Sequence, residues 1–311
     1  MKLQYGYCCL NTELRKQNIF TSRTCRLNTL QKNGIVYVYN LVNKNLDDLI
    51  KIINWNHENE IFVYRMSSQI FPFITHDNYK DLYDIKQFAN KLKFIGNLSK
   101  KYNQRLTFHI SHFSVLASDN ENIVNKSIAD INKHSEIMDI MGLDKNSVMV
   151  IHIGSKKGGK DKSLLRFKQN YKLLTLSAKK RLVIENCEIS YSTSDLLDFC
   201  KELRIPLVLD IHHYNINPGN IELKDIIKPI IDIWKIRKIK PKFHISESIP
   251  GVSDKDDVKK RRKHSDYVEI IPDIIDNVLK ITDLDLMVEA KMKEKAVIHL
   301  QNNHKLQKLK I

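Results

Sequence analysis

Residues 206–215 read PLVLDIHHYN, an apolar run that enters Asp210, His212 and His213 without a break. Such a run marks a strand buried on both faces. An acid and two imidazoles at its end are costly to desolvate unless something pairs with them. The same ending recurs along the chain. RLTFHI (105–110) carries His109, SVMVIHI (147–153) carries His152 and RLVIEN (181–186) carries Glu185. PKFHI (241–245) carries His244, and LMVEA (286–290) carries Glu289. One such residue alone reads as an ordinary core histidine or a half-exposed acid; six strands in succession do not. Imidazoles and carboxylates gathered in one pocket are ligands for Zn²⁺ or Mn²⁺ rather than for a pure Mg²⁺ or Ca²⁺ site. They are too many for one tetrahedral ion, so two or three metals are expected, a type of centre that commonly serves phosphoester hydrolysis.

Only a scaffold that brings strand ends together could use these residues jointly. Two further strand-like runs, LQYGY (3–7) and IFVYRM (61–66), bring the number to eight. Helix-like stretches such as NLDDLIKIINW (45–55) and STSDLLDFCKEL (192–203) alternate with them. Ser192, Thr193 and Ser194 before Asp195 supply helix N-caps. The alternation predicts an α/β fold, a (β/α)8 TIM barrel forming a single domain over residues 1–311. The C-terminal ends of barrel strands converge on one rim, so the metal cluster is expected there. A doubly wound sheet is the alternative, but no G-x-G-x-x-G follows the first strand.

Loops add to the rim. His76, in FPFITHDNY after the second strand, and His264, in RRKHSDY after the seventh, reach it from connections. His57, His134, His299 and His304 fall on helix-like segments or near the tail and read as surface residues. SKKGGK (155–160), with Lys156, Lys157 and Lys160, and KKRRK (259–263), with Arg261 and Arg262, follow strands four and seven. Both overhang the rim, where they could neutralise phosphates flanking a scissile one. SAKKR and KIRKIK precede strands five and seven and are expected to be solvated on the opposite face. Lys242, two residues before His244, shares that strand's inward face. It either fills the barrel or, beside metals, contacts a phosphate or bridges ions in a modified form.

The bulk properties are compatible with this picture. The chain has 311 residues, 42% hydrophobic and 8% aromatic, as a folded globular protein does. No apolar run approaches the roughly 18–20 residues that span a bilayer. The opening MKLQYGYCCLNTELRK lacks the apolar stretch of a signal peptide, so cytoplasmic residence and no membrane partner are expected. Cys8, Cys9, Cys25, Cys187 and Cys200 show no C-x-x-C spacing, so neither a disulfide framework nor a zinc finger is indicated. A net charge of +15 favours polyanions, nucleic acid ahead of anionic membrane.

With these residues in place, the chain resembles the UV damage endonuclease family, within the xylose isomerase-like TIM barrels. The match runs nearly end to end, through GYCCLN (6–11), SRTCRL (22–27), FPFITH (71–76), FHISHF (108–113), VIHIG (150–154) and VIEN (183–186). It continues in LDIHHYNINPG (209–219), PKFHISE (241–247), KHSDY (263–267) and MVEAKMKE (287–294). The resemblance implies a barrel holding two or three divalent metals, commonly Mn²⁺, with Zn²⁺ or Mg²⁺ as alternatives. It implies a DNA repair endonuclease that nicks damaged double-stranded DNA 5′ to UV photoproducts and some other distorting lesions, by attack of a metal-activated water. Its metal ligands would be His76, His109, His152, Glu185, Asp210, His213, His244, His264 and Glu289. Alternation along strand six would put His212 on the face of Asp210, whereas the family pattern selects His213, where the strand should already be turning. Lys242 would stabilise the developing charge as a catalytic residue.

Tyr7 and Asn11 would face the damaged nucleotides. Family members usually carry a Gln and then an aromatic after the third strand's His; here His112 and Phe113 stand there. Phe113 can still unstack a base step, while His112 replaces an amide that probes the bases. A monomer is expected. Three other readings remain at this stage: an abasic-site endonuclease of related fold, a metal-dependent sugar isomerase, and a non-enzymatic DNA-binding protein. The basic rim loops speak against the isomerase, whose substrate is small and neutral, and the complete ligand set speaks against the non-enzymatic protein.

Overall fold

The computed structural model describes residues 1–308, with the backbone alone for 305–308; the last three residues of the expected domain, 309–311, lie outside the described residues. Eight strands follow one another: β1 (Leu3–Cys8), β2 (Val63–Met66), β3 (Arg105–His109), β4 (Met149–Ile151), β5 (Leu182–Glu185), β6 (Leu207–Val208), β7 (Lys242–Ile245) and β8 (Leu284–Val288). Each lies on one of the eight apolar runs, although β8 starts two residues earlier than the pattern suggests. All pairings are parallel, in the order β6-β5-β4-β3-β2-β1-β8-β7. The two edges meet through a parallel bridge between Asp210 and His244, where the His244 N–H donates to Leu209 O at 2.9 Å. The sheet is therefore a closed (β/α)8 barrel.

Strand residues such as Val183, Ile184, Leu207 and Val208 are fully buried, as strands covered by helices on the outside and packed within must be. The two-residue β6 is held from outside by Trp234, whose Nε1–H donates to Leu207 O at 2.8 Å. At the N-terminal end of the barrel Arg105 pairs with the fully buried Asp285 at 2.8 Å, and Lys240 joins the same carboxylate. Charges so deep are retained because they are paired.

The outer helices follow from their caps and spacing. Ser192 caps Thr193–Leu203 in a capping box with Asp195, among the residues the sequence offered for that role. The long helix Leu27–Glu58 bends at Gly34, whose φ of 73° favours glycine, and buries Leu46, Leu49, Ile52 and Ile53. Helix Ala89–Lys101 packs so closely on the C-terminal end of the neighbouring outer helix, Glu121–Ile140, that at Gly96 an added Cβ would sit 1.8 Å from Met141 O. Beyond Ala290 the basic helix runs Glu294–Lys308. No helix among the described residues is long and apolar enough to cross a membrane.

One histidine departs from expectation. His134 is not on the surface but 3% exposed, inside the face of helix Glu121–Ile140. Its Nδ1 lies 2.8 Å from Asp130 O and 3.2 Å from Asp130 Oδ1, and its Nε2 lies 3.3 Å from Ser68 O. His57, by contrast, is exposed and stacks on Tyr102.

Candidate metal centre and its rim

The strand ends bring His109, His152, Glu185, Asp210, His213, His244 and Glu289 together. Glu185, the last residue of β5, is at the middle. Its Oε2 is 3.0 Å from His109 Nε2 and 3.8 Å from His152 Nε2, and its Oε1 is 3.0 Å from His244 Nδ1 and 3.5 Å from His213 Nδ1. Glu289 Oε1 reaches His244 Nδ1 at 3.2 Å. Two groups of three are spaced to hold a cation: His109, His152 and Glu185, and Glu185, Asp210 and His213.

On strand six, His213 and not His212 lies among the other strand-end groups. Asp210 is the N-cap of a short helix, Ile211–Ile216, and its side chain accepts the His213 N–H at 2.8 Å. The turn lifts His213 to the centre and sends His212 toward His264, with ring centroids 5.6 Å apart. Asn186 steadies the junction: its side chain exchanges hydrogen bonds with both the N–H and the C=O of Asp210.

The donor set fits divalent cations. His109 Nδ1–H donates to Ile110 O at 2.9 Å and His213 Nδ1–H to Asn186 O at 3.0 Å, which turns the Nε2 of His109 to Glu185 and that of His213 to Glu188. That is how proteins orient metal-binding imidazoles. Asp210 Oδ2 and His152 Nδ1 are buried without a hydrogen-bond partner, an arrangement that costs energy unless a ligand completes it.

Burial raises the Asp210 carboxyl to about 6, with Glu185 and Glu289 adding to the rise against the pull of His213. Burial likewise lowers His152 and His244 to about 4, so both imidazoles are neutral and available as ligands. His213 rises to about 9 despite burial, because Asp210, Glu185 and Glu188 surround it. Glu185 stays well below the usual carboxylate range although burial opposes it, held down by His244 and His152.

Lys242 is fully buried on the inward face of β7, with Nζ hydrogen-bonded to His244 Nε2. Burial, and then Arg65, lower its ammonium to about 8. Arg65 on β2 escaped sequence reasoning. Its guanidinium meets Glu289 at 2.5 Å and, against burial, holds that carboxylate ionised. Glu188, on the loop after β5, also went unnoticed; it stands 3.7 Å from His213 Nε2 and 3.2 Å from Arg262.

The loop histidines stand apart from the two triads. His76 packs against Phe73 and Tyr79, and His264 packs against His212. Tyr7 and Asn11 do not face open surface as expected, because both are fully buried. The Tyr7 hydroxyl donates to Asn56 Oδ1 at 2.7 Å and accepts from Asn11 Nδ2 at 3.1 Å, while Asn11 Oδ1 caps helix Thr12–Lys16. Phe113 is 77% exposed, with the His112 ring 4.0 Å from it. Lys156, Lys157 and Lys160 are exposed, Lys157 pairing with Asp119 and Lys160 with Asp195. Arg261 binds Asn215 O and Asp254.

A family model described as UV-endonuclease UvdE matches residues 3–311. The chain is 42% identical over 313 residues to the UV-damage endonuclease of Schizosaccharomyces pombe, covering 97% of this chain and 51% of that protein. It thus spans about half the length of that relative. It is 33% identical over 268 residues to the UV DNA damage endonuclease of Bacillus mycoides, covering 85% of this chain and 81% of that one. The crystal structure of SacUVDE superposes with a TM-score of 0.83 at 28% identity, over 98% of this chain and 99% of the other. With strand ends, centre and end-to-end match in agreement, the chain belongs to the UV-endonuclease UvdE family.

Proposed function

We propose that the protein is a metal-dependent DNA repair endonuclease that nicks duplex DNA 5′ to UV photoproducts and other distorting lesions. The observation that carries this reading is the buried carboxylate–imidazole centre opening beneath a basic rim that bears an exposed aromatic, Phe113. His109, His152, Glu185, Asp210, His213, His244 and Glu289 would hold two or three divalent cations, Mn²⁺ first, with His76 and His264 closing in from their loops. Bound there, the cations would supply Lewis-acid polarisation and charge compensation for hydrolysis of a phosphodiester.

The protein's own groups do the remainder. The Ile110 and Asn186 carbonyls hold the rings of His109 and His213 in place through Nδ1, so their Nε2 atoms need no reorientation. Lys242, close to its titration range, carries positive charge beside His244 where negative charge would develop. Lys156, Lys157, Lys160, Arg261 and Arg262 would meet phosphates. Phe113, with His112 against it, would wedge into a base step that a lesion has already weakened, where unstacking costs least. Tyr7 and Asn11 support the floor beneath the damaged nucleotides rather than their surface contacts.

A strand-labelled duplex with one thymine dimer, beside undamaged and abasic duplexes, tests the reading in Mn²⁺ with and without EDTA. A chelator-sensitive nick on the 5′ side of the dimer, absent from undamaged DNA, is expected. Cutting only at the abasic site would move the protein to a different repair substrate. No cutting of any duplex by the metal-loaded protein would remove the nuclease reading.

A further inference from the structure

Two rim loops meet over the centre in a way that a phosphate-binding role alone does not explain. Arg262, on the loop after β7, is 46% exposed and donates from Nη1 to Glu188 Oε1 at 3.2 Å. Glu188, on the loop after β5, is only 14% exposed, and its other oxygen lies 3.7 Å from His213 Nε2. That nitrogen is the one left free when Asn186 O takes the His213 Nδ1–H. One carboxylate therefore lies between a half-exposed arginine on one side and an imidazole of the candidate centre, 3.7 Å away, on the other. Its loop is braced: Cys187 N–H donates to Tyr191 O at 2.8 Å, and the amides of Ile189 and Ser190 both reach Cys187 Sγ. Arg262 can swing into solvent, whereas Glu188 cannot follow it.

We propose that Glu188 is a positioning residue that couples duplex binding to cation binding. Arg262 neutralises it in the free protein, and a DNA phosphate that takes Arg262 leaves the Glu188 charge to the cations beside His213. The proposal rests on the endonuclease reading of the centre. Its physics is competition. A guanidinium forms stronger bidentate pairs with phosphate than this single 3.2 Å contact. Once Arg262 leaves, a positive charge that opposed cations is gone and a negative charge that attracts them is unmasked. By linkage, bound cations must in turn loosen Glu188 from Arg262 and strengthen duplex binding by the same factor.

Opposite-signed changes in two single variants test this without measuring cleavage. Mn²⁺ affinity is read by the spin-resonance signal of free Mn²⁺, and duplex affinity by anisotropy of an undamaged labelled duplex in EDTA. R262Q is expected to bind Mn²⁺ about fivefold more tightly and duplex more weakly. E188Q is expected to bind Mn²⁺ more weakly and duplex about fivefold more tightly. In an E188Q background, R262Q should leave Mn²⁺ affinity unchanged, whereas a diffuse charge effect would repeat the tightening. Variants that weaken both ligands, or a repeated tightening in the double variant, would overturn the proposal. Should E188Q fail to fold, R262Q that binds Mn²⁺ no more tightly than wild type still overturns the proposal, and R262Q in an E188D background takes the place of the double variant. Wild-type protein that bound neither Mn²⁺ nor duplex would instead overturn the endonuclease reading.

Discussion

Asp210 Oδ1 accepts the backbone N–H of His213 at 2.8 Å, so the acid that ends β6 also starts the turn that aims the adjacent imidazole at the centre. Its other oxygen, buried without a hydrogen bond, is free for a cation. The two roles separate by substitution. Asn caps helices as well as Asp, so D210N should keep the metal-free fold and lose Mn²⁺ binding. D210A should lose both, at a cost of about 1 kcal/mol in capping. Urea unfolding beside Mn²⁺ titration reads the difference.

The same carboxyl makes metal-free stability fall with pH. The folded-state value of Asp210 is raised by burial to about 6, above its ordinary value. Its proton is held more tightly in the folded chain, and the stability this confers is complete at low pH. It is lost as pH rises from about 4 to about 6. Metal-free wild type should therefore lose stability relative to D210N across that window, and saturating Mn²⁺ should reverse the loss. Urea midpoints of both proteins at successive pH values, with and without the ion, check it.

His134 gives a pH dependence of its own, remote from the centre. Both ring nitrogens face acceptors, the Asp130 carboxylate and carbonyl on one side and Ser68 O on the other, so both must carry protons. Burial opposes this, yet the hydrogen bond and charge of Asp130 raise the imidazole above its ordinary value. The stabilisation is full below about 6.5 and is lost as pH rises through the folded value. The margin of wild type over H134N should shrink as pH rises above about 6.5, as followed by urea midpoints.

Phe113 should matter for lesions and not for folding. Exposed at the rim, its ring supports nothing beneath it except the face of His112. F113A is expected to melt with wild type and to lose about 5- to 150-fold in binding of dimer-containing duplex, the worth of one stacked base at roughly 1–3 kcal/mol. Undamaged duplex should bind both proteins alike.

Gly96 tests the outer layer. A methyl group there would meet Met141 O at 1.8 Å, and backbone cannot step aside as a side chain can. G96A should destabilise the protein by about 1–3 kcal/mol, as overpacking does, with metal affinity retained in the folded fraction. Denaturant unfolding measures it.

The barrel was legible because six of its eight strands are apolar runs that stop at a chemically conspicuous residue. Glu185 and Glu289 announce themselves by following Ile184 and Val288, and His244 by following Phe243 in a short strand. Arg65 does not: its partner Glu289 lies 224 positions away, and FVYRM reads as an ordinary strand with one polar residue. Glu188 looks like a loop acid until two loops are folded together over it. His134 sits on a helix whose sequence offers polar neighbours at every turn, and only Asp130, one turn back, hints that the ring is buried and paired. Tyr7 and Asn11 look like contacts in the motif, because a motif records which residues matter and not how deep they lie.

The barrel is stitched shut by residues of its own centre. Its last seam is the bridge of Asp210 to His244, beside a strand of two residues, and one amide, that of His244, crosses it to Leu209 O. On the proposed reading, ions at those side chains rivet the seam. Loading and ring closure then become one equilibrium, and the His244 amide should exchange its hydrogen slowly only while the rivet is in place.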